Sequence, residues 1–349
     1  MIYIFTFLGE FGYELFNWQG VIRKFSHTIS ASDRIVCCSR ANLYPLYETA
    51  HQYIDISEVE MFRQSVACGY FALHQQDLNL NSLQNLYFNR RLKKELKTFS
   101  LKRLAERLPP SLLRSLWRNL LPISSNYQFF FSSEKTELNG CRFGCDRTRF
   151  GTDPSEGNIY DLLDLKNNEY KVIEATLEAR QAIEKTLGWS LETPFVLCQT
   201  RARDCVIRSK SRVPKERLVE QLTRKVKVVL LSFATGRALD SYSAFRGLPD
   251  CYSYACGSFV EQACLVHFAK RCVFFTEGDF GSHMYVPPFI GKDVVAIAPG
   301  DIYDVGTTPI DFWNRNVFRF GGQIIPKISE EVFASQQTVS RFIDELVAP

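Results

Sequence analysis

The chain has 349 residues, of which 46% are hydrophobic and 23% charged, the balance of a folded globular protein and not of a disordered or membrane-embedded one. A formal charge of +4 is too small to argue for a nucleic-acid partner, and the length exceeds what one core usually holds, so two domains are expected. The eleven cysteines show no Cys-x-x-Cys pair and no zinc-type spacing, which points to reduced, buried thiols and a cytoplasmic compartment.

Residues 2–7 read as a first buried strand; the apolar stretch is too short for a membrane span and lacks the basic flank of a signal peptide. Gly9-Glu10-Phe11-Gly12 follows as a turn into an amphipathic helix from Tyr13 to Phe25. A second strand is expected at Ile35–Cys38 and a helix at Leu43–His51, while residues 52–80 give no clear pattern. From Arg90 to Arg118 basic residues interleave with leucines at helical spacing, interrupted at Pro109-Pro110. Such a pair of helices suits an anionic membrane surface or an acidic partner, and equally a solvated face on an insertion. Residues 139–165 are polar and turn-rich, fit for an interdomain segment, and Lys166–Leu187 reads as a helix.

Strands and helices then alternate: strand Phe195–Gln199, a helix opened by Pro214, strand Val226–Ser232, a short strand near Tyr252–Ala255, helix Ser258–Lys270, strand Cys272–Phe275, a helix after Gly281 and strand Val294–Ala298. That alternation predicts a parallel sheet with crossover helices. A last helix is expected over Glu330–Leu346. Two α/β domains of this kind bind ligands at the carboxyl ends of their strands.

Four constellations can carry chemistry. Thr276-Glu277-Gly278-Asp279-Phe280-Gly281-Ser282-His283 leaves a buried strand and opens a helix, aiming backbone N–H groups at one point, a setting for phosphate. His283 there can contact a diphosphate or serve as acid or base, and can equally be structural. Arg201 and Arg203 follow the strand at 195–199, with Arg208, Lys210 and Arg212 soon after. Arginines at a strand end can clamp phosphate oxygens, with Asp204 holding one guanidinium in place. In the first turn, Gly9 and Gly12 let backbone approach a ligand, and Glu10 or Glu14 can act as a base or simply satisfy the helix dipole. Ser258-Phe259-Val260-Glu261 is a capping box whose Glu261 can also reach ribose hydroxyls.

These residues resemble a known family. Gly9-Glu10-Phe11-Gly12-Tyr13-Glu14-Leu15-Phe16 is similar to the G-x-x-G-N-Q-x-F glycine loop of the fucosyltransferase superfamily that uses GDP-sugars, with Tyr13-Glu14 in place of Asn-Gln. Arg201-Ala202-Arg203-Asp204 looks like its H-x-R-R-x-D motif, Gln199 replacing the histidine, and residues 259–283 fall where that family places its last donor-binding loop. The Ser-Phe-Ser-Trp-Trp loop of the family is absent. More broadly, the chain resembles GT-B glycosyltransferases, including those that build bacterial polysaccharide and lipopolysaccharide.

The resemblance implies an α/β fold of two Rossmann-like domains facing across a cleft (GT-B). Residues 1–165 would form the acceptor side, with a basic helical insertion near 88–122; residues 166–325 the donor domain; and 326–349 a C-terminal helix packing back on the first domain. The activity implied is metal-independent sugar transfer from a nucleotide sugar to a glycan or lipid-linked acceptor in cell-surface polysaccharide synthesis. Catalysis would fall to Glu10, Arg201 and His283. Donor binding would fall to Gly9, Gly12, Glu14, Arg203, Asp204, Lys210, Glu261, Glu277, Gly278 and Ser282. No cofactor beyond the co-substrate is expected, and no D-x-D motif suggests a metal. The expected location is cytoplasmic, peripheral at the inner membrane face through residues 90–118. Two other readings stand beside this one: a non-catalytic nucleotide- or glycan-binding protein, and another diphosphate-using transferase, though no P-loop is present.

Overall fold

The computed structural model describes residues 1–8, 11–40, 43–62, 82–106, 127–132, 134, 136–143, 168–200, 209–233, 245, 247–277, 282–304, 310–316, 318 and 320–348. The chain divides into two compact units, Met1–Lys171 and Val172–Pro349, six residues beyond the division expected at 165/166.

In the first unit, strands β1 (Ile2–Thr6), β2 (Arg34–Ser39), β3 (Gln52–Asp55) and β4 (Tyr127–Phe131) form a parallel sheet in the order β3-β2-β1-β4. Successive side chains of a strand face opposite sides, and both sides of β1 are covered. Ile4 packs with Val36, Ile54, Leu92 and Leu96. Phe5 stacks on Phe130 at 4.8 Å and meets Trp18, Phe25 and Phe143 edge-on or tilted. Burial on both faces is why β1 and β2 read as continuous apolar runs. Strands β5 (Thr136–Leu138) and β6 (Cys141–Phe143) make a small hairpin closed by Asn139-Gly140, both at positive φ, the pairing that a tight two-residue turn demands.

After β1 the chain makes a helical turn at Phe11–Tyr13, a π-helical turn at Glu14–Trp18, and then helix α1 (Gln19–Ser26). The helix expected at 43–51 is a single 3-10 turn, Tyr44–Tyr47, entered through Pro45, and the chain then extends into β3. Helix α2 (Ser82–Glu106) contains the first half of the basic segment; Leu92 and Leu96 are buried against the sheet while Lys97 lies over Phe129. Residues 107–118, the second half, lie outside the described residues.

The second unit holds β7 (Phe195–Thr200), β8 (Lys227–Phe233), β9 (Cys251–Cys256), β10 (Arg271–Phe275), β11 (Val294–Ala298) and β12 (Ile324–Ile328), all parallel, in the order β12-β11-β10-β7-β8-β9. Helix α3 covers only Leu177–Leu187, not Lys166–Leu187, because the Thr176 side chain caps it by accepting from the Ala179 N–H at 3.2 Å. It ends at Gly188, whose φ of 76° is the left-handed cap that glycine adopts without strain. Helices α4 (Lys215–Leu222) and α5 (Phe259–Phe268) lie in the crossovers. The helix expected after Gly281 is a 3-10 turn, Ser282–Tyr285, leading into a four-residue helix, Val286–Phe289.

Helix α6 (Gln336–Val347) is the tail helix expected over Glu330–Leu346. Val339, Phe342, Ile343 and Leu346 enter the core formed by Val196, Val228, Leu218 and Ile297 of the second unit. Among the described residues no helix is long and apolar enough to cross a membrane, and the eight described cysteines are unbridged.

Candidate functional site

Numbered from the start of the second unit, its strands lie in the order 3-2-1-4-5-6. The chain runs outward from β7 through β8 to β9, returns to the other side of β7 as β10, and continues to β12. Connections therefore leave β7 and β10 in opposite directions, opening a crevice at their carboxyl ends, where open α/β sheets of this order bind ligands. Thr200 and Phe275, the last residues of those strands, are register partners. The two stretches singled out in the sequence, beginning at Arg201 and at Thr276, leave the strands on either side of that crevice.

The segment returning from the arginine stretch is tied to its neighbours. The Ser209 N–H donates to the Glu277 carbonyl at 3.0 Å, and the Val213 N–H to Glu277 Oε1 at 3.3 Å. Lys215 Nζ lies 4.0 Å from the same carboxylate. Ser209 Oγ donates to Asp301 Oδ1 at 2.6 Å and the Lys210 N–H to Oδ2 at 3.4 Å. Glu277 and Asp301, which follow β10 and β11, thus hold residues 209–215 along the carboxyl edge. Lys210 itself is exposed there.

Arg201, Arg203, Asp204 and Gly278 lie outside the described residues, as do Gly9 and Glu10. Ser282 and His283 begin the 3-10 turn after the β10 loop, and their side chains also lie outside. Glu261 makes one half of the expected capping box, its side chain reaching the residue before Ser258 instead of Ser258 itself. Its N–H donates to Ser258 Oγ at 3.2 Å, while its Oε2 accepts from the Gly257 N–H at 2.9 Å and from the Tyr254 hydroxyl at 3.1 Å. Burial first, and then the Glu261 charge, hold the Tyr254 hydroxyl well above the usual phenol range.

The first unit repeats the first four places of that order, 3-2-1-4, so its crevice lies between β1 and β4. The Ser132 N–H donates to the Thr6 carbonyl at 3.1 Å and Ser132 Oγ accepts from the Leu8 N–H at 2.7 Å, stitching the two strand exits together immediately before Gly9. Gly12 is buried in the turn that follows.

Glu14, expected in donor binding, is fully buried in the π-helical turn, with both oxygens taken by its own unit. Oε1 accepts from the Tyr47 hydroxyl at 2.5 Å and from Ser39 Oγ, and Oε2 from Arg40 Nη1 at 3.1 Å. Burial pushes its carboxyl up, and Arg40, Ser39 and Tyr47 pull it back. The Tyr47 hydroxyl is driven well above its ordinary value by burial and by the Glu14 charge. Glu14 therefore offers no surface to a ligand; what reaches the surface is Arg40, with a fifth of its side chain exposed (21%) at the carboxyl end of β2. Sequence reasoning passed over Arg40 and Asp301. Each directly follows a strand or its turn, the same signal that drew attention to Arg201.

No family model and no curated protein matches the chain. Solved structures do. An Escherichia coli ADP-heptose LPS heptosyltransferase II shares 15% identity at a TM-score of 0.48, over 99% of this chain and 97% of that one. A glycosyl transferase family 9 protein from Veillonella parvula shares 9% at 0.49, over 99% and 90%. A UDP-GlcNAc 2-epimerase from Neisseria meningitidis shares 9% at 0.44, over 100% and 92%. At that level of likeness neither a substrate nor a residue's role passes from those proteins to this chain.

Proposed function

We propose that the chain is a glycosyltransferase of GT-B type that moves a sugar from a nucleotide-sugar donor to a glycan or lipid-linked acceptor of cell-surface polysaccharide. The second unit takes the donor and the first supplies the acceptor side. One observation carries this reading: both candidate phosphate-binding stretches leave the strands that flank the reversal of strand order in the second unit. Arg201 and Arg203 then neutralise the departing diphosphate together with backbone N–H groups at Gly278–Ser282, where transition-state charge develops. Glu10, at the exit of β1, deprotonates the acceptor hydroxyl. Glu277 serves this donor site by anchoring the Val213 N–H, and Glu261 by fixing the turn after β9.

The basic helix α2 supports peripheral attachment. Leu92 and Leu96 are spent on the core, and Arg91, Lys93 and Arg103 pair with Glu95, Glu134 and Glu58, while Arg90, Lys94 and Lys102 remain exposed. Surface cations of that kind meet anionic headgroups with a strong dependence on salt. Co-sedimentation with anionic vesicles that is absent, or insensitive to salt, rejects the attachment.

The test of the main reading is a melting-temperature screen against GDP, UDP, ADP, CMP and dTDP, followed by sugar-transfer assays with donors of the nucleotide that stabilises, since a ligand bound only by the native state raises its melting point. Stabilisation with neither transfer nor donor hydrolysis turns the reading into that of a nucleotide-binding protein. Stabilisation by none of the five rejects both.

A further inference from the structure

The cations of helix α2 fall into two groups. Arg91 Nε meets Glu95 at 3.1 Å and Lys93 Nζ meets Glu134 at 2.7 Å. Arg103 reaches both Glu106 and Glu58, and Lys97 Nζ lies 5.3 Å from the centre of the Phe129 ring. Arg90, Lys94 and Lys102 are different. They are exposed, and among the described residues their side chains have no ion pair or hydrogen bond. With Thr98 they follow one another at intervals of four, which places them on a single ridge of the helix. At 1.5 Å per residue that ridge runs for about 18 Å. Like charges at i and i+4 weaken a helix, so Arg90 and Lys94 stand side by side against a folding cost.

A second observation gives the ridge something to act on. Between helix α2 and the residues that follow β3 lies a groove of about 860 Å³, and Arg90, Lys94 and Lys102 line it. Its described charged lining is four cations and two carboxylates, Glu60 and Glu95. Because Glu95 is engaged by Arg91, the positive excess sits on the ridge. Val59, which is buried, and Phe99, which is half-buried under the Arg103 guanidinium, make part of the wall apolar. The groove therefore matches a ligand with an anionic head and an apolar body.

We propose that this groove is a discrete lipid site, which takes the phosphate-monoester head of an anionic lipid between Arg90 and Lys94 and the start of its chains against Val59 and Phe99. A phosphate monoester carries close to two negative charges at neutral pH. Side chains at i and i+4 stand roughly 5–6 Å apart at their Cβ atoms, so a guanidinium fork and an ammonium can share one such group. Lys102, about 12 Å further along the ridge, is left to a neighbouring headgroup. The inference rests on the membrane attachment proposed above for its source of lipid, and on no step of sugar transfer. It also sharpens that attachment: a diffuse basic surface draws anionic lipids by charge alone, whereas a groove selects among headgroups.

The experiment is calorimetric titration of the full-length protein with three probes. Dihexanoyl phosphatidate, below its micelle concentration, carries the head and the chains; dihexanoyl phosphatidylglycerol keeps the chains with a singly charged diester; glycerol 3-phosphate keeps the head alone. Saturable binding of phosphatidate, about tenfold tighter than either of the others, is expected. Absence of saturable phosphatidate binding overturns the proposal. Equal affinity for glycerol 3-phosphate overturns the lipid as the occupant, and equal affinity for phosphatidylglycerol reduces the groove to diffuse charge and overturns it too.

Two variants locate the site. Lys94→Gln should weaken phosphatidate binding about tenfold or more, the scale of a lost hydrogen bond between charged groups, with a melting temperature no lower than the parent's because the repulsion with Arg90 is relieved. Lys97→Gln removes the same charge from outside the groove and should leave the affinity nearly unchanged. Equal losses in the two variants overturn the proposal. If vesicles bind with salt dependence but phosphatidate finds no saturable site, only this inference falls. If phosphatidate binds while no nucleotide raises the melting temperature, only the glycosyltransferase reading falls.

Discussion

Ser209 Oγ donates to Asp301 Oδ1 at 2.6 Å, joining residues 92 positions apart in sequence. The bond links the return from the arginine stretch after β7 to the turn after β11, and the Lys210 N–H reinforces it from the next residue. Asp301→Ala removes both acceptors at an exposed site, a loss of roughly 1 kcal/mol. Nucleotide affinity should therefore fall about fivefold with little change in melting temperature of the free protein. Calorimetric titration with the stabilising nucleotide measures it, and an unchanged dissociation constant shows that residues 209–215 do not need Asp301.

Glu14→Ala leaves Arg40, Ser39 and Tyr47 without their common acceptor. Breaking a buried ion pair from one side costs about 3–5 kcal/mol, so the denaturant midpoint of the variant should drop sharply. Glu14→Leu combined with Arg40→Met replaces the pair by apolar side chains and should recover much of the loss. If Glu14→Ala alone is as stable as the parent, the carboxylate is not the hub that its contacts describe.

Glu48 gives a prediction in pH. Lys171 and Arg23 hydrogen-bond its carboxylate and hold it below the usual glutamate value of 4.5. A depressed folded-state value means that the stability it contributes is present above the unfolded value and disappears as pH falls through the folded one. The stability gap between the parent and Glu48→Gln should be open at neutral pH and close as pH falls through the lowered folded-state value. A gap that widens in acid has the wrong sign and removes the ion pair as its cause.

Arg201→Ala should lower sugar transfer by roughly two to three orders of magnitude, the usual cost of a donor that stabilises transition-state charge. Near-normal turnover in a folded variant rejects that role. Glu10→Gln should spare nucleotide binding while abolishing transfer. Transfer that persists moves the search for a base to His283, because the Glu14 oxygens are already engaged.

Apart from the half-exposed edge strand β9, the strands that announced themselves are buried on both faces, where a run such as Phe195-Val196-Leu197-Cys198 can hardly be anything else. Those that did not are edge strands or broken ones. β12 carries Pro326, which a sheet tolerates here because β12 is an outermost strand, and β3 is a four-residue edge with two polar ends. The helix over Lys166–Leu187 was drawn too long because composition sees helix formers, whereas its true start depends on a single threonine cap at Thr176. At the candidate sites the strands β1, β7 and β10 were legible, while residues 9–10, 201–208 and 278–281, where the glycine and arginine patterns fall, lie outside the described residues. The Glu14 group was not, since its members at 14, 39, 40 and 47 are gathered only when β2 pairs with β1 and the 3-10 turn folds over.

The pairing of Ile2 with Tyr127 sets a schedule for synthesis. β1 finds β2 soon after both leave the ribosome, but its other edge stays open until β4 has been made, more than a hundred residues later. Long-range parallel pairing is slow and leaves apolar strands uncovered meanwhile. A nascent first unit stalled short of residue 127 therefore presents Ile4 and Phe5 to chaperones or to other chains, and codon changes that slow translation between β3 and β4 should lower soluble yield without altering the finished fold.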